Sequence, residues 1–483
     1  MANDWMNIPW LDGKILILAL IVWVIMLKHW ENNGTLDRWN ASRALGFILM
    51  IRTQKGRKAL DNLARPKSAW RAYGELSLWV CRGAMFLVLI LVLLTFVIAI
   101  ISPPKEPPKA SELVAIPGLN PVIPLGWGAL AFIISLVIHE YGHGLQARAH
   151  GMRVRSFGLL LLGPLPLGAF AEPQADELMK APSKERQRLF AAGPATNIFA
   201  AFFCLLMLGA IATQFSPAIA GVHPQSMVSE SGADDAGLQP FDSILSLNGT
   251  STPTLNAFSE AMEAFSPEQN VSMVIKRAES GEEETLNVTM GDKYQHYIEL
   301  GWSEDELEAG GIEPESAFLG VVGLGEATNG IDRLAGPFDP DWNGNIFSRI
   351  LYSPFHLLTV LITPFEYSGV SIHPMEEAKL SSDGALGTST LLFLVNLMFW
   401  LVWVNILLGF TNLIPMVPFD GGHMFRDMVH DGLSRLSRIG ERLKLWGGWH
   451  PMKIEHAAGK ATAYSSLAIL FMLLFSILIP YFL

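Results

Sequence analysis

Hydrophobic and polar positions fall along this chain in long blocks rather than at the short periods of a soluble fold. Six apolar runs stand out: residues 1–30 (with KILILALIVWVIML), 82–102, 126–146, 190–213, 388–415 and 463–483. About 20 mostly apolar residues cross a bilayer core as a helix, so the pattern predicts an α-helical polytopic membrane protein with about six transmembrane helices. The first run lacks a basic leader and a small-residue cleavage site and reads as a retained span, with Trp5, Trp10, Trp23 and Trp30 as interfacial anchors. Three apolar stretches fit no span. FGLLLLGPLPLGAF (157–170) is too broken by Gly and Pro for a helix and too apolar for an ordinary loop. Non-helical backbone at membrane depth is tolerated where it is buried in protein or lines a cavity, which predicts a re-entrant hairpin. Residues 350–365 contain Pro354 and Pro364 and are short for a span, hence a re-entrant or surface element. ALGFILMI (44–51), flanked by Arg43 and Arg52, is expected to lie on the membrane.

Between the fourth and fifth apolar runs the pattern changes. From Val222 a short strand leads into SGADDAGLQPFDSILSLNG, then a helix near 254–264 and the alternating strands VSMVIKRA and ETLNVTM. Residues 216–300 therefore read as a small α+β domain, and 301–387 as an acidic, Gly-rich extension with the short apolar element. Composition agrees with a membrane body, because half of the residues are hydrophobic and only 16% are charged. The net charge of −11 is concentrated: residues 216–350 hold 23 Asp/Glu against 5 Lys/Arg. The polar segment 31–80 carries nine Lys/Arg, which the positive-inside rule makes cytoplasmic, so the acidic insert and both chain ends fall outside. No basic stripe interleaves with aromatics, which argues against a nucleic-acid partner. Cys81 and Cys204 cannot supply a thiolate metal cluster or a disulfide framework and read as packing residues.

The third run ends in LVIHEYGHGLQ, where His139, Glu140 and His143 spell H-E-x-x-H. On a helix, positions i and i+4 share a face, so the two imidazoles can share a metal, with Glu140 placed to reach a water bound to it. A chance match in a surface helix is the bland alternative. Ionisable residues inside apolar sequence are costly and point to function. Asn197, inside the fourth run, either lines a cavity or makes an interhelical hydrogen bond. The fifth run ends in NLIPMVPFDGGHMF. Asp420 there would ordinarily cap a helix, but at the inferred depth of His139 and His143 it reads as a third metal ligand, a carboxylate being a usual choice. The two following glycines allow a sharp turn and close approach. His150 and His423 read as interfacial bystanders.

HEYGH, AAGPATN and NLIPMVPFDGG, in that order around an insert, resemble the site-2 protease family of intramembrane zinc metalloproteases over about residues 127–425. The AGL…FDSILSLNG pattern resembles a PDZ domain of the bacterial membrane-protease type, with Phe241-Asp242 where Gly-Asp is usual. The resemblance implies one zinc per chain held by His139, His143 and Asp420, Glu140 as general base, and Asn412 and Asn197 assisting catalysis. It implies that the 157–170 hairpin holds substrate as an added strand. It further implies cleavage of transmembrane segments of single-span proteins in the bilayer, some already trimmed by another protease, with peptide termini bound by the PDZ domain. The organisation expected is 1–125 N-terminal two-span extension with basic cytoplasmic linker; 126–215 first half of the catalytic core; 216–300 PDZ-like domain; 301–387 acidic extension; 388–425 second half of the core; 426–483 basic cytoplasmic segment and last span. A peptide-binding receptor without catalysis is the alternative of another class, disfavoured by the intact chemical residues. A membrane metalloprotease using a glutamate as third ligand is disfavoured by the absence of a second in-membrane Glu motif.

Overall fold

A computed structural model describes residues 13–104, 107–109, 111–113, 115–163, 165–339 and 342–482. The expected anchors Trp5 and Trp10, Lys105, Glu106 and Ala110 of the Pro-rich stretch, and Pro164 lie outside the described residues. Six described helices are long and apolar enough to cross a membrane: Lys67–Ile101, Leu125–Ala149, Ser183–Ala212, Ile346–Glu366, Gly387–Asn412 and a last one that begins at Pro451. This is the composition of a polytopic helical membrane protein. The first apolar run forms the helix Gly13–Asn32. The chain divides into two compact units, one of Met1–Phe203 with Trp400–Leu483, the other Cys204–Phe399.

In the first unit, Lys67–Ile101 packs against Ser183–Ala212 through Leu78, Cys81 and Met85 on one side and Ala191, Ala195 and Ile198 on the other. Lipid tails are as apolar as leucine, so small residues and polar contacts hold such helices together. Here the Cys81 thiol donates to the Ala191 carbonyl at 3.2 Å, and the Tyr73 and Thr196 hydroxyls meet at 2.7 Å. The long helix that precedes the motif region is thus part of its packing.

The broken run forms a β-hairpin, β3 (Val154–Leu162) with β4 (Leu165–Pro173). Two strands from the polar linker extend it: β1 (Ala41–Ala44) pairs with β2 (Ile48–Thr53), and β2 pairs with β3, giving the order β1-β2-β3-β4. Most of residues 44–51, expected to lie on the membrane, are thus built into this sheet. An isolated apolar strand would leave its backbone groups unsatisfied, whereas pairing Leu49 with Leu161 and Arg52 with Gly158 satisfies them. The helix Gly13–Asn32 closes one face, with Leu27, Leu36, Ala41 and Leu49 buried together and Trp23 Nε1 donating to the Phe47 carbonyl at 2.8 Å.

The second unit contains a six-stranded sheet in which Glu283–Thr289, Asn270–Lys276, Ser243–Leu247, Val222–His223 and Gly325–Glu326 follow in spatial order. Val271, Met273 and Ile275 alternate inward, as the sequence pattern requires. The helix Leu255–Met262 is capped by Thr254, whose Oγ1 accepts from the Ala257 amide. Asp242 is buried and accepts from Arg277 Nη1 at 2.7 Å and the Ala278 amide at 2.9 Å. The element expected to be short for a span is the continuous 21-residue helix Ile346–Glu366, which runs through Pro354 and Pro364. Prolines remove two backbone donors without ending it, and Ser353 and Thr363 add side-chain bonds to the carbonyls of Arg349 and Thr359.

Candidate metal centre

The helix Leu125–Ala149 places His139 and His143 one turn apart, both buried, with their Nε2 atoms 3.1 Å from each other. Each ring is tied at its other nitrogen. His139 Nδ1 faces Asn197 Oδ1 at 3.1 Å, and His143 Nδ1 faces the Leu189 carbonyl at 2.8 Å. With oxygen acceptors at both Nδ1 positions, the ring protons sit there and the Nε2 lone pairs turn inward. Asn197 is fully buried and also donates to the Ser135 carbonyl at 3.4 Å. It does make an interhelical hydrogen bond, and its partner is a motif histidine.

Asp420 is the first residue of the helix Asp420–Arg442, whose N-cap position is held by Phe419. Its Oδ2 lies 3.3 Å from His139 Nε2 and 3.2 Å from His143 Nε2. The close approach needs the glycines behind it, since a Cβ on Gly421 would meet the Leu413 backbone at 2.5 Å and one on Gly422 the Met416 backbone at 2.5 Å. Three donor atoms thus form a nearly equilateral triangle. A tetrahedral ion about 2.0–2.1 Å from each donor would set them roughly 3.3 Å apart, so the triangle fits zinc. The donor chemistry agrees. Two imidazole nitrogens and a carboxylate oxygen are a usual zinc donor set.

Gly193, in AAGPATN, is a residue that reading the motifs missed. A Cβ there would lie 2.3 Å from His143 Nε2 and 2.8 Å from His139 Nε2. Only hydrogen fits beside the imidazoles, and the Gly-Pro pair within an apolar helix was the available signal. Glu140 lies on the motif helix, and its Oε2 accepts from the Ala171 amide of β4 at 2.5 Å. The hairpin backbone therefore orients this carboxylate. Asn412 ends the helix Gly387–Asn412 and donates to the Leu408 carbonyl of its own helix at 3.0 Å. His423 stacks on Phe190 at 4.7 Å, and His150 faces Glu185 at 3.6 Å; neither belongs to the triangle.

Peptidase family M50 matches residues 127–442. An uncharacterised protein of Methanocaldococcus jannaschii is 24% identical over 438 residues, covering 89% of this chain and 91% of that protein. The zinc metalloprotease Rip1 of Mycobacterium bovis is 25% identical over 374 residues, covering 64% of this chain and 88% of its own length. A Campylobacter jejuni protein whose name describes a zinc metalloprotease is 24% identical over 332 residues, covering 61% of this chain and 81% of that protein. Because the match spans more than half of the sequence and takes in HEYGH, AAGPATN and the Asp420 segment, the chain belongs to peptidase family M50, the site-2 protease family, and is a zinc-dependent peptidase.

Proposed function

We propose that this peptidase cleaves transmembrane segments of single-span membrane proteins, with His139, His143 and Asp420 as zinc ligands and Glu140 as general base. The observation that carries the reading is the triangle of donor atoms at 3.1–3.3 Å, each imidazole secured from behind. Bound zinc supplies Lewis acidity, polarising the scissile carbonyl and lowering the pKa of water to about 7. Glu140 takes the proton from the attacking water and returns it to the leaving amine. The Ala171 amide holds the Glu140 carboxylate in line for that transfer. Asn197 acts through His139 and is a positioning residue, while Asn412 orients substrate. A helical substrate hides its carbonyls in i→i−4 bonds and must unwind. The outward edge of β4 offers replacement backbone partners, because β2 already occupies the other side of the hairpin.

The α+β insert of 216–300 serves as a PDZ-like module outside the membrane, taking peptide termini at a sheet edge. Its support is the strand–helix pattern and Phe241, which adopts φ 65° where the resembling domains carry glycine. The site lies toward the cytoplasmic side, as the nine basic residues of 31–80 indicate. Purified protein in detergent, given a tagged single-span reporter, should cut within the span. Glu140→Gln should slow this by about 10²- to 10⁴-fold while keeping its metal. Cleavage at wild-type rate by that variant would overturn the mechanism. If the insert admits substrates with shortened ectodomains, deleting 222–300 should abolish the preference for trimmed over long reporters; an unchanged preference refutes the gate.

A further inference from the structure

The strands added by residues 41–53 build a cleft that no step of the proposed hydrolysis uses. It is an open cleft of about 890 Å3 at the polar end of the four-stranded sheet. Three cations line it, Arg52, Lys55 and Arg155, beside the hydroxyls of Ser42, Thr53 and Ser156. Glu172 makes loose ion pairs with both arginines, and Arg52 Nη1 also donates to Ser42 Oγ at 2.8 Å. Glu172 accepts from Ser156 Oγ at 2.8 Å but stands 4.0 Å from Arg52 Nε and 3.9 Å from Arg155 Nη1. Arg155 is 66% exposed, and Lys55 has no ion pair among the described residues. Asp37 is the second acid, leaving the lining with one net positive charge. Neighbouring cations are already neutralised: Arg43 pairs with Glu31 at 2.7 Å, and Arg153 with Glu177 at 2.7 Å.

The depth of the cleft follows from its connections. Asp37 and Asn40 lie just past the end of the apolar helix Gly13–Asn32, where Trp30 and Trp39 meet edge-on at 5.3 Å. Tryptophans at such a junction mark the headgroup level. The sheet runs from Arg52 and Arg155 at this polar end to an apolar β1–β2 tip, where Leu45 is 81% exposed and Phe47 is exposed. A cationic cleft at headgroup level beside an apolar tip matches an amphiphile with an anionic head.

We propose that this cleft binds the phosphate headgroup of an anionic phospholipid, with Arg52 and Arg155 forking the phosphate oxygens and Lys55 and the Ser42 and Thr53 hydroxyls completing the contact. Glu172 in the cleft wall adjoins Ala171, whose amide holds Glu140, so an occupant steadies the strand that places the general base. Only this last consequence rests on the proposed peptidase mechanism.

The test uses the full chain in zwitterionic detergent with a short-chain phosphatidylglycerol labelled on its acyl chain, read by anisotropy. Joint Arg52→Gln and Arg155→Gln should weaken binding roughly 25-fold, and Lys55→Gln alone, in an exposed turn that tolerates change, roughly five-fold. Arg153→Gln, paired outside the cleft, should bind as wild type. Equal weakening by Arg153→Gln, or no weakening by Lys55→Gln and the double variant, overturns the site. Displacement of the lipid by equimolar glycerol phosphate would assign a soluble phosphate instead and overturn the lipid reading. In vesicles, phosphatidylglycerol in a phosphatidylcholine bilayer should raise reporter cleavage by wild type, and an unchanged rate overturns the link to Glu140. Binding without cleavage of any reporter would overturn the peptidase reading alone.

Discussion

His139, His143 and partly buried Asp420 in one compact unit, and buried His223, Glu376 and Lys379 in the other, are both histidine-bearing, acid-bearing clusters, yet they are built differently. In the first, every outward ring nitrogen has an oxygen partner, and the inward atoms converge on one point. In the second, His223 Nε2 faces Glu376 Oε1 at 3.7 Å, beyond hydrogen-bond distance, and neither ring nitrogen of His223 has a hydrogen-bond partner among the described residues. Lys379 Nζ instead donates to the carbonyl of Phe241 at 2.7 Å, and the Phe241 ring stacks on His373 at 4.1 Å. Ser216–Pro217 pairs with Leu380–Ser381 beside it. Burial of titratable groups is common to both, so burial alone does not make a metal centre. Convergence of donors with their other atoms occupied is what sets the first set apart. The second cluster joins the sheet to the 371–381 segment through the Lys379–Phe241 bond and the Phe241–His373 stack.

The sharpest way to break this contrast is to remove one carboxylate from each set. Asp420→Ala should abolish stoichiometric zinc and peptide cleavage, while Glu376→Gln should keep the metal; metal analysis of both purified variants checks this. Loss of zinc in Glu376→Gln would erase the distinction. A smaller effect is expected from the positioning shell. Asn197→Ala should weaken metal retention roughly 10- to 100-fold in a chelator challenge, with the fold intact by size exclusion.

The smallest effect separates the clusters by pH. Burial pulls Lys379 down to about 8 and His223 below its ordinary value. Both folded-state values lie below the unfolded ones, so protonation opposes folding. Stability of this cluster should therefore rise from about pH 8 to pH 10.5 as unfolded Lys379 loses its proton. It should fall on acidification below about pH 6.5. Lys379→Met should remove the alkaline rise and leave the acid limb, as read by hydrogen exchange of peptides covering 216–224 and 371–381. An unchanged alkaline rise in that variant would show that another group carries it.

Much of the centre was legible because its chemistry is local. The spacing of His139, Glu140 and His143 on one helix face, and Asp420 before two glycines, can be recognised without knowing any neighbour. The residues that hold these groups in place were not legible in the same way. The Glu140 contact with the Ala171 amide joins positions 31 apart, and the space that Gly193 leaves for two imidazoles exists only once two helices cross. The strand made by much of residues 44–51 was not legible for a related reason. Their composition suits a membrane surface, and what makes them a strand is an edge supplied more than a hundred residues later, at Phe157–Leu161. Residues 350–365 read as too short for a span and broken by Pro354 and Pro364, whereas the helix starts at Ile346 and continues through both prolines.

By itself the amino-acid order determined where the apolar helices lie, that an acidic α+β insert interrupts them, and which side chains can meet at a metal. Those properties follow from periodicity, charge and short spacing along one dimension. Tertiary structure alone decided that Asn197 and the Leu189 carbonyl turn the histidines inward, that β1 and β2 complete the hairpin sheet, and that Arg52 and Arg155 come to share one cleft. Each of these joins groups far apart in sequence, and their positions are set by how the elements pack.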